Sequence, residues 1–168
     1  EATFRLGEVA YTSGNFDDAV TQYASVIKTW PQGMFAAPAQ YGLSWCRFKK
    51  GDFAATVDAV GLLEKSYAGT EQARKGLYVR AMAEFQLQQY EASEKDVLEY
   101  LKTSPAPKEA LDAQYLQGLA LAGQQKFAEA ANVYSAILKA DGKYADADKV
   151  LYELGWAHFE LGQQPESI

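Results

Sequence analysis

The sequence predicts an all-α fold, a superhelical solenoid of antiparallel helix pairs. Three observations carry this expectation. Aromatic residues recur every 37 positions, with Phe4, Tyr41, Tyr78, Tyr115 and Tyr152 in one column and Phe16, Phe53, Tyr90 and Phe127 in another. Small residues keep the same period at Gly7, Ser44, Ala81, Gly118 and Gly155. Alanine occurs 28 times and proline only 5 times, mostly between helical patterns; alanine is the best helix former and proline the strongest breaker. A fixed period of this length marks stacked supersecondary units, each too small to bury its apolar face alone. One array spans residues 1–168, with units of about 1–36, 37–73, 74–110, 111–147 and a partial 148–168. The opening at Glu1 and the close at Ile168, just after Pro165-Glu166-Ser167, suggest a fragment of a longer protein.

Each unit reads as two helices. In the first, Phe4 to Ser13 is apolar at helical spacing. Gly14-Asn15 breaks that run, as suits a helix C-terminus and tight turn. Asp17 and Asp18 belong in the first turn of the next helix, where negative charge meets the positive end of the dipole. Ala19, Val20, Tyr23, Val26 and Ile27 form its apolar stripe, and Pro31 ends it. The turn returns as Lys50-Gly51-Asp52-Phe53 in unit two and Leu161-Gly162-Gln163-Gln164 in unit five. Units three and four lose the glycine, with Gln88-Gln89-Tyr90 and Gln125-Lys126-Phe127.

The pattern Leu6-Gly7, Gly14, Phe16, Ala19, Tyr23, Pro31 resembles the tetratricopeptide repeat. Unit four matches at Gly118, Phe127, Ala130 and Tyr134, and unit five at Leu154-Gly155 and Gly162. Units two and three depart from it, with Ser44 and Ala81 at the small position of the first helix and Thr56 and Ser93 at the alanine of the second. The resemblance implies a right-handed superhelix and a role in protein–protein interaction. The usual repeat is about 34 residues, and the longer joints here, such as 30–41, are similar to those of bacterial envelope repeat proteins, among them the Tol–Pal-associated periplasmic protein and the outer-membrane assembly lipoprotein. That similarity implies a bacterial periplasm or cell envelope, with the cytoplasm as the alternative.

Composition narrows the function classes. The chain has 168 residues and a net charge of −6, all of it carried by the half from residue 85 onward. A general nucleic-acid binder needs a basic footprint, which this chain lacks. No apolar run approaches the roughly 20 residues that cross a bilayer. One cysteine, Cys46, excludes an internal disulfide and a cysteine zinc cluster. It falls in a small column with Val9, Ala83, Ala120 and Ala157, so a buried apolar role is expected. One histidine, His158, cannot complete a multi-histidine site. No P-loop and no Gly-x-Gly-x-x-Gly occurs. Residues 141–148 superficially resemble a calcium loop but lack its Asp/Asn alternation and sixth-position glycine, and read as the joint between units four and five. No catalytic residue, cofactor or metal ligand is assigned, and the chain is read as a non-enzyme.

In the family the first helices line the concave surface. There the first aromatic column is joined four residues on by Glu8, Trp45, Met82, Leu119 and Trp156, and three further on by Tyr11, Phe48, Phe85, Ala122 and Phe159. Positions i, i+4 and i+7 share one helix face. The candidate partner-binding residues are Tyr41, Trp45, Phe48, Tyr78, Met82, Phe85, Tyr115, Leu119, Tyr152 and Trp156. Part of this strip is expected to serve packing between neighbouring first helices. The family's clamp for acidic peptide C-termini needs Lys, Arg and Asn on this face; here Glu8, Met82 and Leu119 stand instead, so that ligand class is disfavoured. A protein or peptide held by apolar and aromatic contacts fits better; Asp112, Asp148, Glu153 and Glu160 are read as an ordinary solvated surface, with basic residues of the partner facing them as the alternative. A structural spacer or self-assembling module is the alternative.

Overall fold

The computed structural model describes residues 1–140 and 144–162. Among the described residues there are nine helices and no strand: α1 (Ala2–Thr12), α2 (Phe16–Thr29), α3 (Ala36–Lys49), α4 (Phe53–Ser66), α5 (Glu71–Gln86), α6 (Tyr90–Lys102), α7 (Pro107–Gly123), α8 (Phe127–Ala140) and α9 (Ala147–Glu160). Residues 141–143 of the calcium-like joint, Gln163-Gln164, and Pro165-Glu166-Ser167 lie outside the described residues. The chain divides into two compact units, Glu1–Leu87 and Gln88–Ile168.

The turns explain the helix boundaries. Gly14 and Gly51 have φ of 78° and 80°, and Gly162 has 68°. Asn15 N–H donates to the Ala10 carbonyl at 2.9 Å, and Asp52 N–H to the Arg47 carbonyl at 2.9 Å. This is the 6→1 bond of a left-handed helix terminus, which satisfies carbonyls the helix leaves unpaired. Gln88 and Gln125 take the same left-handed backbone, with φ of 60° and 62°. The turn geometry therefore survives the loss of glycine, and Lys126 N–H still donates to the Leu121 carbonyl at 2.9 Å. Helix starts fall slightly ahead of the sequence-based unit bounds: α5 opens at Glu71 because Thr70 caps it, its hydroxyl accepting from Ala73 N–H at 3.2 Å. Pro38 lies in the first turn of α3 and Pro107 opens α7, where a missing N–H breaks no helical bond.

In the first unit each helix packs on the next, from α1 to α5, and the odd helices also touch, α1 with α3 and α3 with α5. Phe4, Ala19, Tyr23, Val26, Ala39, Leu43 and Cys46 form its first core cluster. Gly7 is what lets α1 approach α2: a Cβ there would stand 2.7 Å from the Tyr23 ring. Gly42 does the same on α3, with a Cβ 2.7 Å from the other edge of that ring. Tyr23 is thus held between glycines of two successive first helices. Unit two of the sequence replaces small apolar residues with hydroxyls, and these are satisfied within their helices. Ser44 Oγ donates to the Gln40 carbonyl at 3.0 Å and Thr56 Oγ1 to the Asp52 carbonyl at 2.9 Å. The buried Gln40 amide ties α3 to α4 by donating to the Ala59 carbonyl at 2.8 Å.

In the second unit α6, α7, α8 and α9 pack in series, and α7 also touches α9. Leu121, Ala130, Tyr134, Ile137, Tyr144 and Val150 make its core. Gly118 repeats the device of Gly7, since a Cβ there would come within 2.3 Å of the Tyr134 ring. Tyr144 hydroxyl closes the joint by donating to Asp112 at 2.6 Å. No helix of the described residues is long and apolar enough to cross a membrane.

Candidate functional site

The strip expected on the first helices divides into residues that pack and residues that remain accessible. Phe4 is buried, with its ring 5.1 Å from Phe35 and 5.7 Å from Tyr23. Tyr11 leans on Phe16 at 5.6 Å, and Phe48 on Phe53 at 5.5 Å, so both brace the turn between paired helices. Tyr41 is half-buried against Ala37, Leu63 and Ala73. Along α3, Tyr41, Trp45 and Phe48 meet edge to face at 6.4 and 5.8 Å. On α5, Tyr78, Met82 and Phe85 are each half-buried.

In the second unit, Tyr115 is half-buried and lies 6.2 Å from Tyr134. Leu119 is half-buried beside it on α7. The α9 members are open: Tyr152 is 70% and Trp156 47% exposed, and Trp156 lies 5.5 Å from exposed Phe159. The four acids read as solvated surface, or alternatively as facing a basic partner, differ among themselves. Asp112 already receives Tyr144 and Lys108, Glu153 is half-buried, and Asp148 and Glu160 are exposed.

The structure brings part of the first-unit strip together around a cavity of about 440 Å³ between α1 and α3. Phe4, Tyr11, Tyr41 and Trp45 line it, as does Glu8. Thr12, Tyr23, Pro38, Gly42 and Gln72 complete the wall, and none of them belongs to the aromatic strip. Tyr23 belongs to a second helix and enters by its ring edge. Gly42 stands outside the columns read from the sequence, and only its closeness to Tyr23 shows that a side chain there would crowd the wall. Burial pushes the Tyr23 hydroxyl up to about 12, and raises that of Tyr11 as well. Both stay neutral and can donate hydrogen bonds. Arg5 and Lys49 stand at the rim: Arg5 donates to Glu8 at 2.7 Å with its guanidinium 5.9 Å from the Phe4 centroid, and the Lys49 ammonium is 5.8 Å from that of Trp45.

Cys46 is buried, and desolvation lifts its thiol to about 11, so it is held as the unreactive thiol. His158 is half-buried on α9. Among the described residues no group of His, Cys, Asp and Glu is placed to hold a metal ion.

A chain of stacked helix pairs with an aromatic face on its first helices defines a helical-repeat interaction scaffold. The tetratricopeptide repeat profile matches residues 4–61, 78–145 and 115–168, and the chain belongs to that family. Proteins of this fold are in general non-catalytic scaffolds for other proteins. Among solved structures, MamA is similar at a TM-score of 0.82 and 16% identity, over 98% of this chain and 84% of that one. MamA from Desulfovibrio magneticus RS-1 is similar at 0.83 and 14% identity, over 96% of this chain and 85% of that one. RapI in its apo form is similar at 0.82 and 13% identity, over 95% of this chain and 63% of that one. Such identities establish the fold alone: an all-α helical-repeat superhelix. No curated protein matches the chain.

Proposed function

We propose that this chain is a non-catalytic scaffold that binds a peptide or partner segment on the aromatic face of its first helices, with the cavity between α1 and α3 as the principal seat. The observation that carries this is that cavity. Its rings are held by core packing, so they present contact area without further loss of side-chain freedom on binding. Rigid aromatic anchors of this kind dominate interface energetics. Trp45 is the anchor: it is half-buried, braced by Tyr41 and Phe48, and lines the opening.

The test is affinity capture from native extract, read by mass spectrometry and followed by titration of each captured protein. Trp45→Ala and Trp156→Ala are run separately, with circular dichroism confirming equal folding. A partner that binds wild type and loses about 2 kcal/mol or more with Trp45→Ala supports the seat. A partner indifferent to both variants removes the aromatic face as the site.

A second reading makes the chain a spacer or self-assembly module of a bacterial cell-envelope complex. Its support is α9, where Leu151 and Phe159 are 54% and 66% exposed alongside Tyr152 and Trp156. The lengthened 37-residue unit supports the envelope setting, with the cytoplasm as the alternative. Sedimentation showing a monomer at all concentrations counts against self-assembly, and fractionation of the native source decides the compartment.

A further inference from the structure

Resting on that reading, we propose that the cavity between α1 and α3 takes a cationic side chain, Lys or Arg, from the bound partner. Five aromatic rings line it, those of Phe4, Tyr11, Tyr23, Tyr41 and Trp45. Among the described residues lining it, Glu8 is the one with a formal charge at neutral pH. The rest of the wall is apolar or neutral: Thr12, Pro38, Gly42 and Gln72. Several ring quadrupoles around one carboxylate suit a cation with an apolar stem, because the stem packs on the rings while the head meets the charge.

The molecule already shows this recognition in miniature. Arg5 reaches Glu8 at 2.7 Å and holds its guanidinium 5.9 Å from the Phe4 centroid. Lys49 approaches Trp45 in the same manner at 5.8 Å. Both cations are exposed and lie at the rim rather than in the wall. A surface pair three residues apart on one helix holds weakly. Arg5 is therefore a resident competitor that a partner's cation displaces. The corresponding positions of the second unit differ: three periods on, Glu8 becomes Leu119 and Pro38 becomes Lys149. The site is assigned to the first unit alone.

The experiment is a titration of the full chain, followed by nitrogen-15 amide spectra at the Gly42 amide and the Trp45 indole. The probes are three capped amino acids that differ in side-chain charge: N-acetyl-arginine methylamide, N-acetyl-norleucine methylamide and N-acetyl-glutamate methylamide. The arginine probe is expected to shift both reporters and to bind about three- to ten-fold more tightly than norleucine. Glu8→Gln should abolish that preference. Arg5→Ala should tighten the arginine probe about three-fold, since it removes the competitor. The proposal is overturned if norleucine or glutamate binds as well as arginine, or if Arg5→Ala fails to tighten it. Norleucine shifting the same reporters equally would leave the aromatic seat standing and remove only the cation preference. No shift from any probe up to its solubility limit overturns the cavity itself as a seat.

Discussion

Glycines at equivalent columns have opposite expected responses to an added methyl group. Gly7→Ala and Gly118→Ala drive a Cβ into Tyr23 and Tyr134, at 2.7 and 2.3 Å. Overpacking of this kind should cost about 1–3 kcal/mol in urea unfolding. Gly155→Ala meets nothing within 4 Å among the described residues and sits inside α9, so it should instead stabilise by about 1 kcal/mol through helix propensity. Tyr134 offers a second contrast. Its hydroxyl is buried and has no hydrogen-bond partner among the described residues, so Tyr134→Phe should be neutral or stabilising by about 1 kcal/mol, removing a desolvated group without a partner. Titration adds a third expectation. Desolvation raises the Glu153 carboxyl, so the folded state holds its proton to higher pH than the unfolded chain does. Stability from this group is present in acid and lost as pH rises through the folded value. Glu153→Gln should therefore stabilise at neutral pH and have little effect below the ordinary carboxylate range, as read by thermal unfolding across pH. At the alkaline end, raised Cys46 and Tyr23 make stability fall between about pH 9 and 12.

At the scale of the helix pair, the turn is the conserved object and its residue is not. Five turns stand 37 residues apart, at positions 14, 51, 88, 125 and 162, and all five have positive φ. Three use glycine and two use glutamine. An L-residue in this region pays about 1–2 kcal/mol in steric terms, partly returned because glycine loses more freedom on folding. Gln88→Gly and Gln125→Gly should each stabilise by up to about 1 kcal/mol, additively, since the two turns are far apart in sequence and share no partner. Equilibrium unfolding of the single and double variants checks this. The turn's position was legible from the Gln-Gln and Gln-Lys breaks in the helical pattern. Its backbone was not, because glutamine carries no preference for the left-handed region. At Gln125 the surviving geometry comes from the 6→1 hydrogen bond of Lys126 and from the packing of α7 on α8.

The whole molecule is two compact units, Glu1–Leu87 and Gln88–Ile168, each with its own core. In a repeat protein, stability is a sum of local terms and nearest-neighbour interfaces. Leu63→Ala empties a fully buried position of α4 and should cost about 2–5 kcal/mol. Its effect should stay local: hydrogen exchange should quicken in α3, α4 and α5 and change little in α8. Equal quickening in α8 would mean that the array unfolds as one cooperative body.

The sequence by itself determined the all-α class, the 37-residue period, the pairing of helices and the face on which the aromatics fall. Those follow from spacing, because a helix places residues three, four and seven apart on one side whatever surrounds it. Depth was decided by the tertiary structure. Phe4 and Tyr152 occupy the same column, yet one is 8% and the other 70% exposed. A column states which way a side chain points along its own helix, while burial depends on what other helices bring against it. The cavity is the same lesson in one place: Glu8, Tyr41 and Trp45 could be named from α1 and α3 alone, but Tyr23 of α2 and Gln72 of α5 join them only through tertiary packing, with Gly7 and Gly42 letting α1 and α3 close on the Tyr23 ring.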